Sequence, residues 1–294
     1  VPLDGGAVPR WTPGAHIDVE CGDTGLSRQY SLCGDPAERG AFEIAVLRDP
    51  QSRGGSAWMH ASVREGQVLR IRGPRNHFKF DESAQRVILV AGGIGITPIA
   101  AMARRARELG LDYELHYSGR GRATLAYVDE LQAQHGARLH LHLKDEGTRA
   151  DYATVLGRPC AGVRVYACGP QRLLESLETL CAGWPEDTLR VEHFQTQPGT
   201  LDPSRERTFE VELKDSGLTV RVPADRTLLD ALRGANIDVP SDCGEGLCGS
   251  CEVRVLAGTV DHRDVVLTRG ERERNDRMMA CCSRATCDKL VLEL

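Results

Sequence analysis

The 294-residue chain contains no apolar run near the ~20 residues that a bilayer-spanning helix requires, and no signal-peptide pattern at its start. Its net charge of −5 gives no sign of a nucleic-acid binder or a polybasic membrane anchor. There is no internal repeat and no low-complexity tract. The eleven cysteines are an odd number, so a fully paired disulfide scaffold is excluded. A chain this long divides into two or three domains, each with its own core. It opens on Val1 rather than Met, and its first residues read as the end of a longer segment.

What the chain does have is Cys243-Gly244-Glu245-Gly246-Leu247-Cys248-Gly249-Ser250-Cys251, with Cys281 following later. The spacing C-x4-C-x2-C…C is that of a plant-type [2Fe-2S] cluster. Four thiolates hold two bridged irons, and Gly244, Gly246 and Gly249 let the backbone curl and turn N–H groups toward sulfur. A zinc site more often shows paired C-x2-C knuckles around a short finger. Such a cluster moves single electrons. Free thiols beside iron–sulfur chemistry point to a reducing cytoplasm. Cys21, Cys33, Cys160, Cys181 and Cys287 read as small buried or surface residues.

Periodicity divides the chain into three. Up to residue 82, short strands (His16–Glu20, Arg28–Leu32, Phe42–Arg48, Gln67–Arg72) broken by Gly and Pro predict an antiparallel barrel. Residues 83–196 alternate strand and helix. Strands are expected at Arg86–Ala91, Tyr113–Tyr117, Arg138–Leu143 and Val163–Ala167, and helices at Pro98–Leu109, Tyr127–Gln134 and Gln171–Cys181. That alternation means a parallel sheet in an α/β domain. A polar stretch with two prolines, residues 197–207, reads as a linker. Residues 208–294 predict a compact α+β unit: strands Phe209–Leu213 and Leu218–Val222, a helix over Thr227–Ala235, the cysteine loop, then strands Glu252–Leu256 and Lys289–Leu294. The mixed-sign run Arg269–Arg277 reads as a solvated turn before Cys281.

Two turns in the second segment invite an anion. In Val90-Ala91-Gly92-Gly93-Ile94-Gly95-Ile96-Thr97-Pro98 a strand enters a glycine turn and then a helix, with Thr97 placed to cap and Pro98 at the first helical position. The helix N-terminus there attracts a pyrophosphate. The G-x-G-x-x-G fingerprint is absent, and a tight strand–helix turn is the plainer reading. Tyr166-Ala167-Cys168-Gly169-Pro170 repeats the arrangement. Two such turns at the carboxyl edge of one parallel sheet mark a ligand crevice. Earlier, Arg28-Gln29-Tyr30-Ser31 offers a guanidinium fork and an aromatic face, and Gly54-Gly55-Ser56 precedes a short helix through His60. An arginine on a barrel strand is also a common solvated or ion-paired surface group.

Taken in order, Arg28-Gln29-Tyr30-Ser31, Gly54-Gly55-Ser56, Gly93-Ile94-Gly95-Ile96-Thr97-Pro98, Cys168-Gly169-Pro170 and the cluster cysteines resemble the phthalate dioxygenase reductase family over essentially the whole chain. These are single-chain reductases of Rieske-type oxygenase systems, including those of vanillate O-demethylase type. The resemblance implies a flavin-binding β-barrel (1–82), an NAD-binding α/β domain (83–196), a linker (197–207) and a β-grasp ferredoxin domain (208–294). It implies that Arg28, Tyr30, Ser31, Gly54, Gly55 and Ser56 hold the flavin, with Phe78 near the flavin–nucleotide interface. Gly93, Gly95 and Thr97 receive the nucleotide; Ser118 and Arg120 lie toward its adenosine ribose. Cys168, Gly169 and Pro170 flank the nicotinamide, and Glu192 and Phe194 form the closing E-x-F element by the flavin ring. Cys168 and Glu192 are the expected catalytic pair, although hydride transfer itself requires no general acid or base.

The same resemblance aligns Cys281-Cys282-Ser283-Arg284 with the family's C-x-S-R, which selects Cys281 as fourth iron ligand beside Cys243, Cys248 and Cys251. Adjacent residues on an extended chain point opposite ways, so without it the choice between Cys281 and Cys282 stays open. FMN is expected in preference to FAD, because the barrel shows no extra loop for an adenosine. NADH is expected in preference to NADPH, although Arg120 and Arg122 could accept a 2′-phosphate or simply be solvated. The implied relay runs from NADH through flavin and cluster, one electron at a time, to a Rieske-type oxygenase. A haem monooxygenase as acceptor and a non-catalytic ferredoxin-like carrier are the other readings. Family members have a further strand ahead of Thr12-Pro13-Gly14-Ala15-His16, without which the barrel would carry an unpaired edge.

Overall fold

The computed structural model describes residues 1–50, 54–194 and 201–294. The chain divides into two units, Val1–Phe194 and Gln195–Leu294. The expected linker falls partly on residues 195–200, outside the described residues.

The first unit opens with a small antiparallel sheet. β1 (His16–Glu20) pairs with β2 (Ser27–Ser31), and after α1 (Gly55–Ser62) the strand β3 (Ile71–Arg75) joins the other side of β1. β1 is covered on both faces. Ile17 and Val19 enter an apolar cluster with Trp11, Ala15 and Leu32, while Asp18 opposite is neutralised by Arg75. Phe42–Arg48, expected as a strand, supplies only one bridge, Ile44 to Leu32. Beyond it the Asp49 amide donates to the Ser56 hydroxyl at 3.2 Å.

The α/β part follows as β4 (Arg86–Gly92), α2 (Ile96–Glu108), β5 (Asp112–Gly119), α3 (Val128–His135), β6 (Leu139–Leu143), α4 (Tyr152–Leu156), β7 (Val163–Cys168), α5 (Gln171–Leu180) and β8 (Leu189–Glu192). The sheet order is β6-β5-β4-β7-β8 with every neighbouring pair parallel. Central β4 is buried on both faces, which is why it reads as an unbroken apolar run. Val87, Leu89 and Ala91 pack with residues of α2 and α3; Ile88 and Val90 pack with residues of α5. The chain winds outward from β4 to β6, then crosses to β7 and winds the other way. The reversal falls between β4 and β7, where an open α/β sheet leaves its ligand crevice.

The second unit is a mixed sheet folded over one helix. β9 (Phe209–Leu213) and β10 (Leu218–Val222) form a hairpin, followed by α6 (Leu228–Gly234), β11 (Glu252–Ala257), β12 (Val260–Asp261), α7 (Arg269–Arg274), β13 (Arg277–Met279), β14 (Arg284–Ala285) and β15 (Lys289–Leu292). The order β10-β9-β15-β11-β13 contains one parallel pair, β9 with β15. Phe209, Val211, Leu213, Leu228, Leu232, Met278 and Leu290 share its core. Two local readings are corrected. Arg269–Arg274 is a helix rather than a turn, because Thr268 and Glu271 close a capping box at its start. Thr97 does not cap α2: the helix begins at Ile96, and the Thr97 hydroxyl donates back to the Ile94 carbonyl at 3.0 Å.

Arg284 is the largest fully buried side chain in the protein's described residues, 2% exposed. Its guanidinium donates to the carbonyls of Arg226 (2.6 Å), Arg207 (2.9 Å) and Pro223 (3.0 Å), pairs with Glu206 at 2.9 Å, and lies over the Phe209 ring. Four acceptors converge on one cation, so its removal leaves buried carbonyls unsatisfied. Arg284→Met should lower the unfolding free energy by about 3 kcal/mol or more, read by urea denaturation of the full chain. A loss under about 0.5 kcal/mol would show that these contacts are not structural.

Candidate functional site

At the carboxyl edge of the parallel sheet the two glycine turns press backbone on backbone. A Cβ built on Gly95 would overlap the Cys168 carbonyl and sit 2.7 Å from the Gly169 nitrogen. One on Gly92 would meet the Pro170 ring at 2.6 Å, and one on Gly169 would meet Gly92 at 3.0 Å. Only glycine allows this approach, and it sits over the β4–β7 reversal. Gly93 has φ +56°, a left-handed turn with open space at its Cβ position. Thr97 is buried beneath the turn. Pro170 stands as the cap residue before α5.

Beside this edge lies a carboxyl in an unusual setting. β7 and β8 place Cys168 opposite Glu192, and Ser31, at the end of β2, donates its hydroxyl to Glu192 Oε2 at 3.2 Å. Burial pushes Glu192 up to about 8, and the Ser31 bond offsets only part of that. Cys168 is raised well above the ordinary thiol range, first by burial and then by the Glu192 charge. It is therefore a neutral thiol near pH 7, unsuited to act as a nucleophile. Cys168, Glu192 and Ser31 come from three strands, and the fold brings them together. Phe194 follows at the end of this segment, partly exposed.

A second convergence involves Arg28 and α1. A Cβ on Gly55 would strike the Arg28 side chain, with Nε 2.9 Å away, so the arginine stem lies directly across the first residue of the helix. Gly54, the residue before it, has φ +101°. The Arg28 side chain, whose Nη1 donates to the Ser27 carbonyl at 2.8 Å, and the helix N-terminus thus lie together, a combination suited to phosphate. Ser56 accepts from the Asp49 amide. Tyr30 is half-buried, and burial pushes its phenol up to about 12.

Other expected residues are held elsewhere. Phe78 is 4% exposed and packs edge-on against Tyr166, 5.6 Å between centroids, inside the core of the α/β part. Ser118, beside Gly92 in the sheet, bonds the Tyr152 hydroxyl at 2.8 Å. Arg122 is paired with Glu146 at 3.1 Å, while Arg120 is exposed.

In the second unit the cysteine loop carries its own donors. The N–H groups of Glu245 and Leu247 point to Cys243 Sγ at 3.3 and 3.4 Å, and that of Gly246 to Cys281 Sγ at 3.2 Å. The sulfurs interact as a chain, Cys248 to Cys243 to Cys281 to Cys251. Hydrogen bonds from Cys248 and Cys281 hold Cys243 well below the ordinary thiol range. A single tetrahedral zinc would need all four sulfurs mutually close; among the described residues no three cysteines fall within 4.8 Å of one another. A chain of pairs suits two irons. Cys282 also lies against the loop: a Cβ on Gly246 would meet its sulfur at 2.6 Å, it interacts with Cys281, and its thiol is directed to the Met279 carbonyl at 3.9 Å. Asp264 braces the loop from behind. It accepts the amides of Val266 (3.1 Å) and Leu267 (2.8 Å), while Ser283 donates to it at 3.4 Å. Neither Asp264 nor the carbonyl network of Arg284 carries a signal in the sequence, where Ser283 and Arg284 stand only as part of C-x-S-R.

The comparisons agree with this geometry. Residues 211–286 match the 2Fe-2S iron-sulfur cluster binding domain, and residues 68–188 match the dimethylamine monooxygenase subunit DmmA-like N-terminal domain. The chain is 45% identical over 282 residues to the phenoxybenzoate dioxygenase subunit beta of Ectopseudomonas oleovorans, covering 96% of this chain and 87% of that protein. Phthalate dioxygenase reductase, a modular structure for electron transfer from pyridine nucleotides to [2Fe-2S], superposes with TM-score 0.69 at 38% identity, over 99% of this chain and 91% of that one. Full-length CYP116B46 from Tepidiphilus thermophilus superposes with TM-score 0.88 at 61% identity, over 99% of this chain but only 39% of that one. Among the described residues no helix is long and apolar enough to cross a membrane. The chain belongs to the phthalate dioxygenase reductase family, the flavin and [2Fe-2S] reductases that serve oxygenase systems.

Proposed function

We propose that this chain is an NADH-dependent reductase that binds FMN and one [2Fe-2S] cluster and feeds single electrons to a terminal oxygenase component. The observation that carries the reading is the meeting of Cys168, Glu192 and Ser31 at the sheet reversal, where strands from the barrel and the α/β part converge. When bound, flavin accepts a hydride and releases its electrons singly, the conversion that a two-electron donor and a one-electron cluster require. The protein supplies position. Gly93, Gly95 and Thr97 shape the pyrophosphate turn, with Gly169 and Pro170 opposite. Cys168 presents a small neutral side chain beside the nicotinamide site. Ser31 and Glu192 hold a proton between hydroxyl and carboxyl next to the flavin site.

Arg28 with Gly54, Gly55 and Ser56 supplies one phosphate cradle, which favours FMN over FAD. Arg122 is already paired with Glu146, which withdraws it from a 2′-phosphate and supports NADH. Cys243, Cys248, Cys251 and Cys281 are the proposed iron ligands. The proposed boundaries are a flavin barrel (1–82), an NAD domain (83–196), a linker over 197–207 and a ferredoxin domain over 208–294. Eleven free cysteines and an iron–sulfur loop favour the cytoplasm. The first acceptor reading is a Rieske-type non-haem iron oxygenase acting on aromatic or similar small substrates. A second, a cytochrome P450 monooxygenase, is favoured by the 55% identity to an intact type IV self-sufficient cytochrome P450 monooxygenase over 99% of this chain.

Cys281→Ser should abolish the cluster's visible absorbance and the reduction of a one-electron acceptor such as cytochrome c, while NADH still bleaches the flavin. Cys282→Ser should leave both intact. The reverse pattern would assign the fourth ligand to Cys282 and break the proposed exit.

Glu192 keeps its proton in the folded chain to about pH 8, whereas an unfolded glutamate loses it near ~4.3. The stability tied to that proton is full below the unfolded pKa and declines as pH rises toward the folded one. The thermal midpoint of the holoprotein should therefore fall less between about pH 5 and about pH 8 in Glu192→Gln than in the parent. Parallel falls in the two proteins would show that Glu192 ionises normally.

A further inference from the structure

The parallel sheet carries a second polar cluster with no part in hydride or electron transfer. Glu114 and His116 lie two residues apart on β5, and His140 and His142 two apart on β6, so each pair shares a face. The register sets His116 beside His140 and Ser118 beside His142. The buried His116 ring stacks on exposed His140 (centroids 4.7 Å apart, planes at 16°) and on His142 (5.4 Å, 8°). His116 Nε2 is 3.1 Å from Glu114 Oε2, and its Nδ1 is 3.1 Å from His142 Nε2. One donor atom from each of Glu114, His116 and His140 lies within 4.8 Å of the others.

We propose that Glu114, His116 and His140 bind a divalent transition-metal ion of the zinc, nickel or copper class, with His142 orienting His116. Two imidazoles and a carboxylate are a donor set for these borderline ions, and too nitrogen-rich for magnesium or calcium. The bond between His116 Nδ1 and His142 is the outer contact that fixes a ligating ring and its tautomer. Arg86 occupies Glu114 Oε1 at 2.7 Å and keeps the carboxylate in place, so the ion takes the place of the proton now between Glu114 Oε2 and His116 Nε2. That guanidinium also limits affinity by repulsion, so the site is a modest one. An ion lies in the plane of every ring it binds. The two stacked rings cannot meet that condition together, so exposed His140 must turn out of the stack while buried His116, held through Nδ1 by His142, stays and offers Nε2. The site lies at the β5–β6 edge of the sheet, where β6 has no outer neighbour among the described residues, and exposed His140 opens it to solvent.

The test is Co²⁺ titration of the flavin- and cluster-loaded holoprotein, in which the loop cysteines are already occupied. The expected result is one ion per chain, with the visible bands of nitrogen and oxygen ligation and no thiolate charge transfer. His140→Ala and Glu114→Gln should each weaken binding by about tenfold or more, with cluster absorbance and NADH-driven flavin reduction unchanged. His140→Ala alters an exposed ring, so its folding is not at stake. No binding, binding of equal strength in both variants, or a thiolate charge-transfer band would overturn the proposal.

Discussion

The contact on which the rest depends is the close approach of two main-chain turns, Gly92–Gly95 against Cys168–Gly169. A parallel sheet that winds outward in both directions leaves a gap above its central pair of strands. Here that gap is floored by backbone rather than side chains, so a flat ring can lie against it and a pyrophosphate can reach the α2 N-terminus. The same contact places Cys168 at the end of β7, opposite Glu192 on β8. Through Ser31 it ties the α/β part to the barrel strand that carries Arg28 and Tyr30. A two-electron donor and its acceptor must be held face to face, and this joint is where the fold can do so.

The second unit solves a different problem, which is to hold four thiolates in a loop with little regular structure. Its answer is to brace the loop from outside. Backbone amides at residues 245–247 point inward at sulfur. Asp264 and Ser283 pin the facing segment. Arg284 locks the strand after Cys281 to three carbonyls and Glu206. The arginine of C-x-S-R thus serves the fold. Donors to sulfur also stabilise the more negative state of a cluster, so the same amides that shape the loop favour its reduction.

Much of this was legible in the sequence because it rests on local patterns. The cysteine spacing, the apolar run of β4, the two glycine turns and the exact span of the hairpin Phe209–Leu213 and Leu218–Val222 follow from composition and period. The failures are of two kinds. Some were hidden by stronger signals, as when the charges of Arg269–Arg274 masked a Thr268–Glu271 capping box. Others depend on partners distant in the chain. Asp264 matters because Ser283 reaches it, and the histidine ladder exists only once β5 and β6 pair in register. No window of sequence contains those pairs.

The account's central claim is that the glycine contact at the sheet reversal places the nucleotide, and it is tested most directly by adding one carbon there. In Gly95→Ala holoprotein, rapid mixing with NADH under anaerobic conditions would follow the bleaching of the flavin. A shift of the turns by about an ångström should slow that step by about a hundredfold, while flavin and cluster absorbance stay at parental levels and dithionite still reduces both. Bleaching at the parental rate, with both chromophores in place, would contradict it.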